Sequence, residues 1–155
     1  MEPPLSDPVP ELAAHLGYWL RGLSNHVSQS FARKLAAKDV TVAEWALMRM
    51  LLGGEPEAPS RLAGRMGLTR GAVTKLADRL IAKDLVARAA SPDDGRAQTL
   101  ALTRKGARLV PDLAALADRN EAECFGHLST ADRRALDRIL KTSAVRLGLV
   151  AVPID

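Results

Sequence analysis

This sequence is poor in the residues on which redox and metal chemistry most often rest. Its 155 residues include one cysteine, Cys124, and three histidines, at positions 15, 26 and 127. A lone thiol forms no internal disulfide, so a reducing cytoplasm is the expected compartment. The histidines lack ligand spacing, and there is no His-Glu-x-x-His, no CxxC and no Gly-rich phosphate loop. Neither a metal site, a cofactor nor an enzyme is therefore expected. Serine, histidine and aspartate are present, but a catalytic triad is defined by geometry and not by inventory. No apolar run reaches the ~18–20 residues of a bilayer span. The acidic, Pro-rich opening Met1-Glu2-Pro3-Pro4 lacks the basic-then-apolar order of a secretory leader. No membrane partner is expected.

What is present describes a globular domain. Apolar residues make up 47% and charged residues 26%, which argues against wholesale disorder. The length suits one domain with a sizeable core. Net charge is +4, a mild pointer to a polyanionic partner. Its distribution says more: residues 60–108 hold 11 Lys+Arg against 4 Asp+Glu, while the remainder holds 11 against 14. A basic middle between slightly acidic ends is the footprint of a module that meets phosphate. A merely solvated basic face would look the same by charge alone.

Hydrophobic spacing and capping residues divide the chain. Residues 1–10 carry four prolines and read as a tail. From Glu11 to about Lys38, Leu12, Leu16, Leu20, Leu23, Val27, Phe31 and Leu35 recur every three or four residues, predicting one long amphipathic helix. Thr41 with Glu44 three residues on has capping-box spacing and opens a second helix ending at Gly53-Gly54. Glu55 to Ala58 reads as a loop, Pro59 to Met66 as a short helix closed by Gly67, and Thr69 as the cap of a helix through about Lys83. Leu85–Ala90 and Ala97–Thr103 read as strands joined by a Pro92-Asp93-Asp94-Gly95-Arg96 turn. Thr103 caps a helix to about His127, with Pro111 as a kink or a break. Ser129, with Asp132 three residues later, opens the last helix, and residues 150–155 form a tail.

The expected fold is therefore mainly α with a small β wing: a winged helix–turn–helix over residues 41–103, flanked by N- and C-terminal helices over 11–38 and 104–149. In such a module the second helix of the turn enters the major groove. Val73, Leu76, Ala77 and Leu80 form its apolar stripe, and Arg70, Gly71, Thr74 and Lys75 lie opposite. Arg70 and Lys75 suit guanine O6 and N7, Thr74 a hydrogen bond or a thymine methyl, and Gly71 close backbone approach. Ser60, Arg61, Arg65 and Arg79 suit phosphates, which fix register without reading sequence. The competing readings are a solvated helix face and an architectural or interaction module that binds DNA with little sequence preference.

The ordered stretches Leu62-Ala63-Gly64-Arg65-Met66-Gly67-Leu68, Val73-Thr74-Lys75-Leu76-Ala77-Asp78-Arg79-Leu80, Lys83-Asp84-Leu85-Val86, Pro92-Asp93-Asp94-Gly95-Arg96 and Leu102-Thr103-Arg104-Lys105-Gly106 resemble the multiple antibiotic resistance regulator (MarR) family of winged-helix transcription factors. The resemblance implies a homodimer whose terminal helices intertwine and whose winged domains straddle a pseudo-palindromic double-stranded operator, most often as a repressor. It implies that Asp94 steadies the wing while Arg96 enters the minor groove; turn chemistry alone would also explain the pair. Two positions depart from the family: Gly71 weakens the first turn of the recognition helix, and Asp84 stands where relatives often carry glycine.

Many members of that family release DNA when a small phenolic or anionic effector binds between the dimer helices and the winged domain. The candidates here are His15, Trp19 and His26, with Gly22, along one side of the first helix, and Trp45, Met48 and Arg49 opposite. The same residues would serve equally as dimer core, where aromatics are also enriched. Cys124 lies beside Glu121 and Glu123, whose charges disfavour a thiolate, so an inert thiol is expected.

Overall fold

The computed structural model describes residues 9–91, 93, 95 and 97–149. The chain does not enter its first helix as one continuous rod. Leu12–Ala14 form a single 3-10 turn, His15 is extended at φ −99° and ψ 133°, and helix α1 runs Leu16–Ala36. The indole N–H of Trp19 donates to the Ala13 carbonyl at 2.8 Å. In an unbroken helix that carbonyl would accept from the amide four residues on, so the expectation of one helix from Glu11 is corrected to a turn and then a helix.

Capping chemistry sets the elements that follow. Helix α2, Val42–Leu51, opens on a full capping box: Thr41 Oγ1 accepts from the Glu44 amide at 3.1 Å, and the Thr41 amide donates to Glu44 Oε2 at 3.4 Å. Helix α3, Pro59–Met66, ends at Gly67, whose φ of 65° is the left-handed turn that glycine adopts without a Cβ penalty. Thr69 Oγ1 then accepts from the Ala72 amide at 3.1 Å and starts helix α4, Arg70–Ala82. Strands β1, Val86–Ala90, and β2, Gln98–Leu102, pair antiparallel with Val86 opposite Leu102 and Ala90 opposite Gln98. Glu57, expected in a loop, adds a bridge to this ribbon through both of its backbone groups, which meet Leu100 at 3.0 and 2.8 Å.

Helix α5, Arg104–Phe125, is capped by Thr103 and continues unbroken through Pro111, so the break left open by the sequence does not occur. The Thr103 hydroxyl also donates to the Asp84 carbonyl at 2.7 Å. Gly106 is buried in the first turn of α5, and a Cβ there would overlap the Leu85 carbonyl. Asp84 has φ 59°, so the position where relatives often carry glycine does take a left-handed backbone here. Helix α6, Thr130–Arg146, begins with Ser129 Oγ accepting from the Asp132 amide at 3.1 Å.

One core unites α2, α3, α4 and the ribbon through fully buried Leu47, Met48, Leu62, Met66, Val73, Leu80 and Leu100. Leu35 of α1 and Val110 and Leu113 of α5 complete it. Among the described residues, no helix is long and apolar enough to cross a membrane.

Candidate nucleic-acid interface

Helix α4 buries Val73, Leu76, Ala77 and Leu80 and leaves Arg70, Gly71 and Lys75 exposed on the other side. The apolar stripe therefore fixes which side chains face outward. Thr74 is half-buried, and its hydroxyl donates back to the Arg70 carbonyl at 3.0 Å, leaving its lone pairs and methyl for an incoming group. No carboxylate pairs with Arg70 or Lys75 among the described residues. The helix thus presents two unneutralised cations near its N-terminal end, where base-edge contacts are made in this kind of module.

The residues expected to meet phosphate have more company. Ser60, Arg61 and Arg65 are exposed on α3. Arg65 Nη1 donates to both oxygens of Glu57, at 2.9 and 2.6 Å, and Arg61 Nε lies 3.3 Å from the same carboxylate. Arg79, exposed on α4, has its Nε 3.6 Å from Glu44, whose side chain is 1% exposed. Glu44 also accepts from Lys83 Nζ at 2.9 Å. Arg88 of β1 pairs with Asp78 of α4 and ties the wing to the recognition helix. Asp94 and Arg96 lie outside the described residues.

Sequence reasoning missed these carboxylates. Glu44 reads as a capping residue and nothing more, because its second role depends on Lys83 and Arg79, far along the chain. Glu57 stands four residues before Arg61, a spacing that suggests pairing on a helix, but it precedes α3 and the signal was lost in the loop.

The candidate effector residues separate into two groups. His15, Trp19, Gly22 and His26 line one open groove of about 860 Å³ along α1, with Tyr18, Arg21 and Leu23. The Trp19 and Tyr18 rings meet edge to face at 5.3 Å. Trp45, Met48 and Arg49 do not line it. Met48 is fully buried in the core because α2 turns that side toward α4. Trp45 meets the Phe31 ring edge to face at 6.3 Å, and Arg49 is exposed in the last turn of α2. Cys124 is a free, half-buried thiol.

Comparison with known proteins agrees with this architecture. A family model described as MarR family matches residues 38–97, the stretch from the α1–α2 turn to the end of the wing turn. A transcriptional regulatory protein assigned to the hcr operon of Thauera aromatica is 27% identical over 131 residues, 84% of this chain and 79% of that one. The HTH-type transcriptional repressor IacR of Pseudomonas putida is 24% identical over 124 residues, 80% of this chain and 74% of that one. Among solved structures, the transcriptional repressor CouR bound to a 23-mer DNA duplex superimposes with a TM-score of 0.78 at 28% identity, covering 86% of this chain and 94% of that one. The helix–turn–helix and two-stranded wing lie within the stretch that matches the MarR family model, and the chain as a whole is similar to transcriptional regulators of this architecture.

Proposed function

We propose that the protein is a cytoplasmic, homodimeric repressor that reads a pseudo-palindromic operator and releases it when a small phenolic or anionic molecule binds. The observation that carries this reading is the exposed face of α4, where Arg70 and Lys75 stand without an acidic partner among the described residues. Bidentate donation from such cations to guanine O6 and N7 is the commonest specific contact in a major groove. In this reading Gly71 allows close approach, Thr74 meets a base edge, and Ser60, Arg61, Arg65 and Arg79 hold phosphates. Asp94 steadies the wing and Arg96 enters the minor groove. Residues 41–103 form the DNA-binding unit, and residues 11–38 and 104–149 pair with a second copy. The groove at His15, Trp19 and His26 receives the effector: aromatic faces suit a phenolic ring, and Arg21 on its wall suits an anion.

Selection of bound duplexes from a random pool by the purified protein tests the reading. An inverted repeat with half-sites about one helical turn apart is the expected product. Tight, salt-sensitive binding with no enriched sequence would replace it with an architectural role, because phosphate contacts alone discriminate little.

A further inference from the structure

The cations assigned to phosphate differ from those assigned to bases in one respect: they share carboxylates. Glu57 accepts from Arg65 at 2.9 and 2.6 Å and lies 3.3 Å from Arg61. Its side chain is 13% exposed, against 77% for Arg61 and 47% for Arg65, so the acid sits beneath the two guanidiniums. The two backbone hydrogen bonds to Leu100 hold it there. The three groups together carry one positive charge instead of two. Arg61 uses Nε and Arg65 uses Nη1 in these contacts, so both keep further N–H groups that can meet DNA at reduced net charge.

We propose that Glu57 is an affinity-limiting residue of the DNA face. It partly neutralises Arg61 and Arg65 and is itself repelled by phosphate, and so holds down the sequence-independent part of binding. The base-directed Arg70 and Lys75 stay at full charge. The inference rests on the DNA-binding reading above. Its physical basis is that non-specific affinity and its salt dependence scale with the charge a protein brings to the phosphates.

The test measures binding of the full chain to a selected duplex and to a scrambled one, from about 50 to 200 mM salt. Glu57→Gln keeps the backbone pairing with Leu100 and removes only the charge. It is expected to bind both duplexes several-fold more tightly, with a log–log salt slope steeper by about 1. Arg61→Ala is expected to lower the slope by well under 1 in the native background and by about 1 when combined with Glu57→Gln. Unchanged affinity and slope in Glu57→Gln overturn the proposal, and weaker binding overturns it in favour of a positioning role. Should Glu57→Gln melt early, Arg61→Ala alone decides, since its side chain is exposed: loss of a full unit of slope would refute the proposal. Native protein that binds neither duplex overturns the DNA reading itself, an outcome distinct from native binding that Glu57→Gln leaves unchanged.

Discussion

The apolar residues of the winged core and those at the start of α1 and in the last helix sit in opposite surroundings. Leu62, Met66, Val73, Leu80 and Leu100 are fully buried within α2–α4 and the ribbon. Leu16 and Leu20 at the start of α1 are 88% and 58% exposed, and Ile139 and Leu147 at the end of the chain are 52% and 74% exposed. Helix α6 buries nothing. The helical members of both sets follow the same spacing, so periodicity alone does not separate a core from an exposed face. The winged unit buries its apolar residues together with Leu35 of α1 and Val110 and Leu113 of α5, whereas the start of α1 and most of α6 leave theirs exposed. Exposed apolar residues at helical spacing suit an interaction site, and in the homodimer proposed above a second copy would cover them.

The largest effect is expected from charging the outer faces. Leu20→Glu and Ile139→Glu are each expected to leave the helical content unchanged and to convert dimer to monomer in sedimentation. Loss of the linked second half-site should reduce operator affinity by about 100-fold or more. A charged variant that remains dimeric would remove α1 and α6 from the interface. A steric change where the start of α5 packs on the winged unit has the opposite signature. Gly106→Ala drives a methyl into the Leu85 carbonyl, and backbone cannot swing aside as a side chain can. The expected cost is about 3 kcal/mol of stability, read as a lower denaturant midpoint. Such a loss, with the association constant of the remaining folded protein unchanged, would sharpen the separation of the two regions.

Smaller effects distinguish sites within the winged unit. Arg70→Ala or Lys75→Ala is expected to lower operator affinity by about 2 kcal/mol and to relax preference at one base pair per half-site. Equal losses on operator and scrambled duplex would move these residues to the phosphate class. At the exit of α4, Asp84 holds φ 59°, and the Leu85 amide closes the helix onto the Leu80 carbonyl at 2.9 Å. Asp84→Gly relieves the left-handed Cβ contact and should raise stability by roughly 0.5–1 kcal/mol, with no change in DNA affinity.

Helix starts were legible because their signals are local. Thr41, Thr69, Thr103 and Ser129 each cap the helix expected from them, and Gly67 supplies the turn between α3 and α4. The apolar stripe of α4 gave its exposed face by elimination, and with it the outward placement of Arg70 and Lys75. What stayed hidden depends on distant partners. The interruption at His15 goes with an indole reaching back to the Ala13 carbonyl, and leucine spacing runs straight across it. The Glu57–Leu100 bridge joins residues more than forty apart, from a segment, Glu55 to Ala58, that reads as loop. Met48 and Trp45 look alike as candidates for a pocket until the packing of α2 sends one to the core and the other to Phe31. The place of a charge in the chain was readable, but which acid shares it was not.

The contact between two of the outer helices, α1 and α5, gives the smallest expected effect and a direct measure of how firmly they are joined. Lys34 of α1 reaches Glu123 of α5 at 2.6 Å and also donates to Ser30 Oγ at 3.0 Å and to Asn120 Oδ1 at 3.1 Å. Asn120, buried, returns a hydrogen bond to the Val27 carbonyl at 3.2 Å. The Lys34 ammonium, and then Arg119, hold the Glu123 carboxyl below its ordinary value of 4.5. A carboxyl depressed on folding stabilises the native state above its unfolded pKa, and that contribution fades as pH falls through the lower folded value. The native chain should therefore melt slightly above Glu123→Gln at neutral pH, and the two curves should converge as pH falls through the lowered folded value. The gap should be small, since the carboxylate is half exposed and solvent screens the pair. A gap that persists unchanged into acid would mean that the charge of Glu123 contributes nothing and that the Asn120 hydrogen bonds and the apolar packing join α1 to α5 without it.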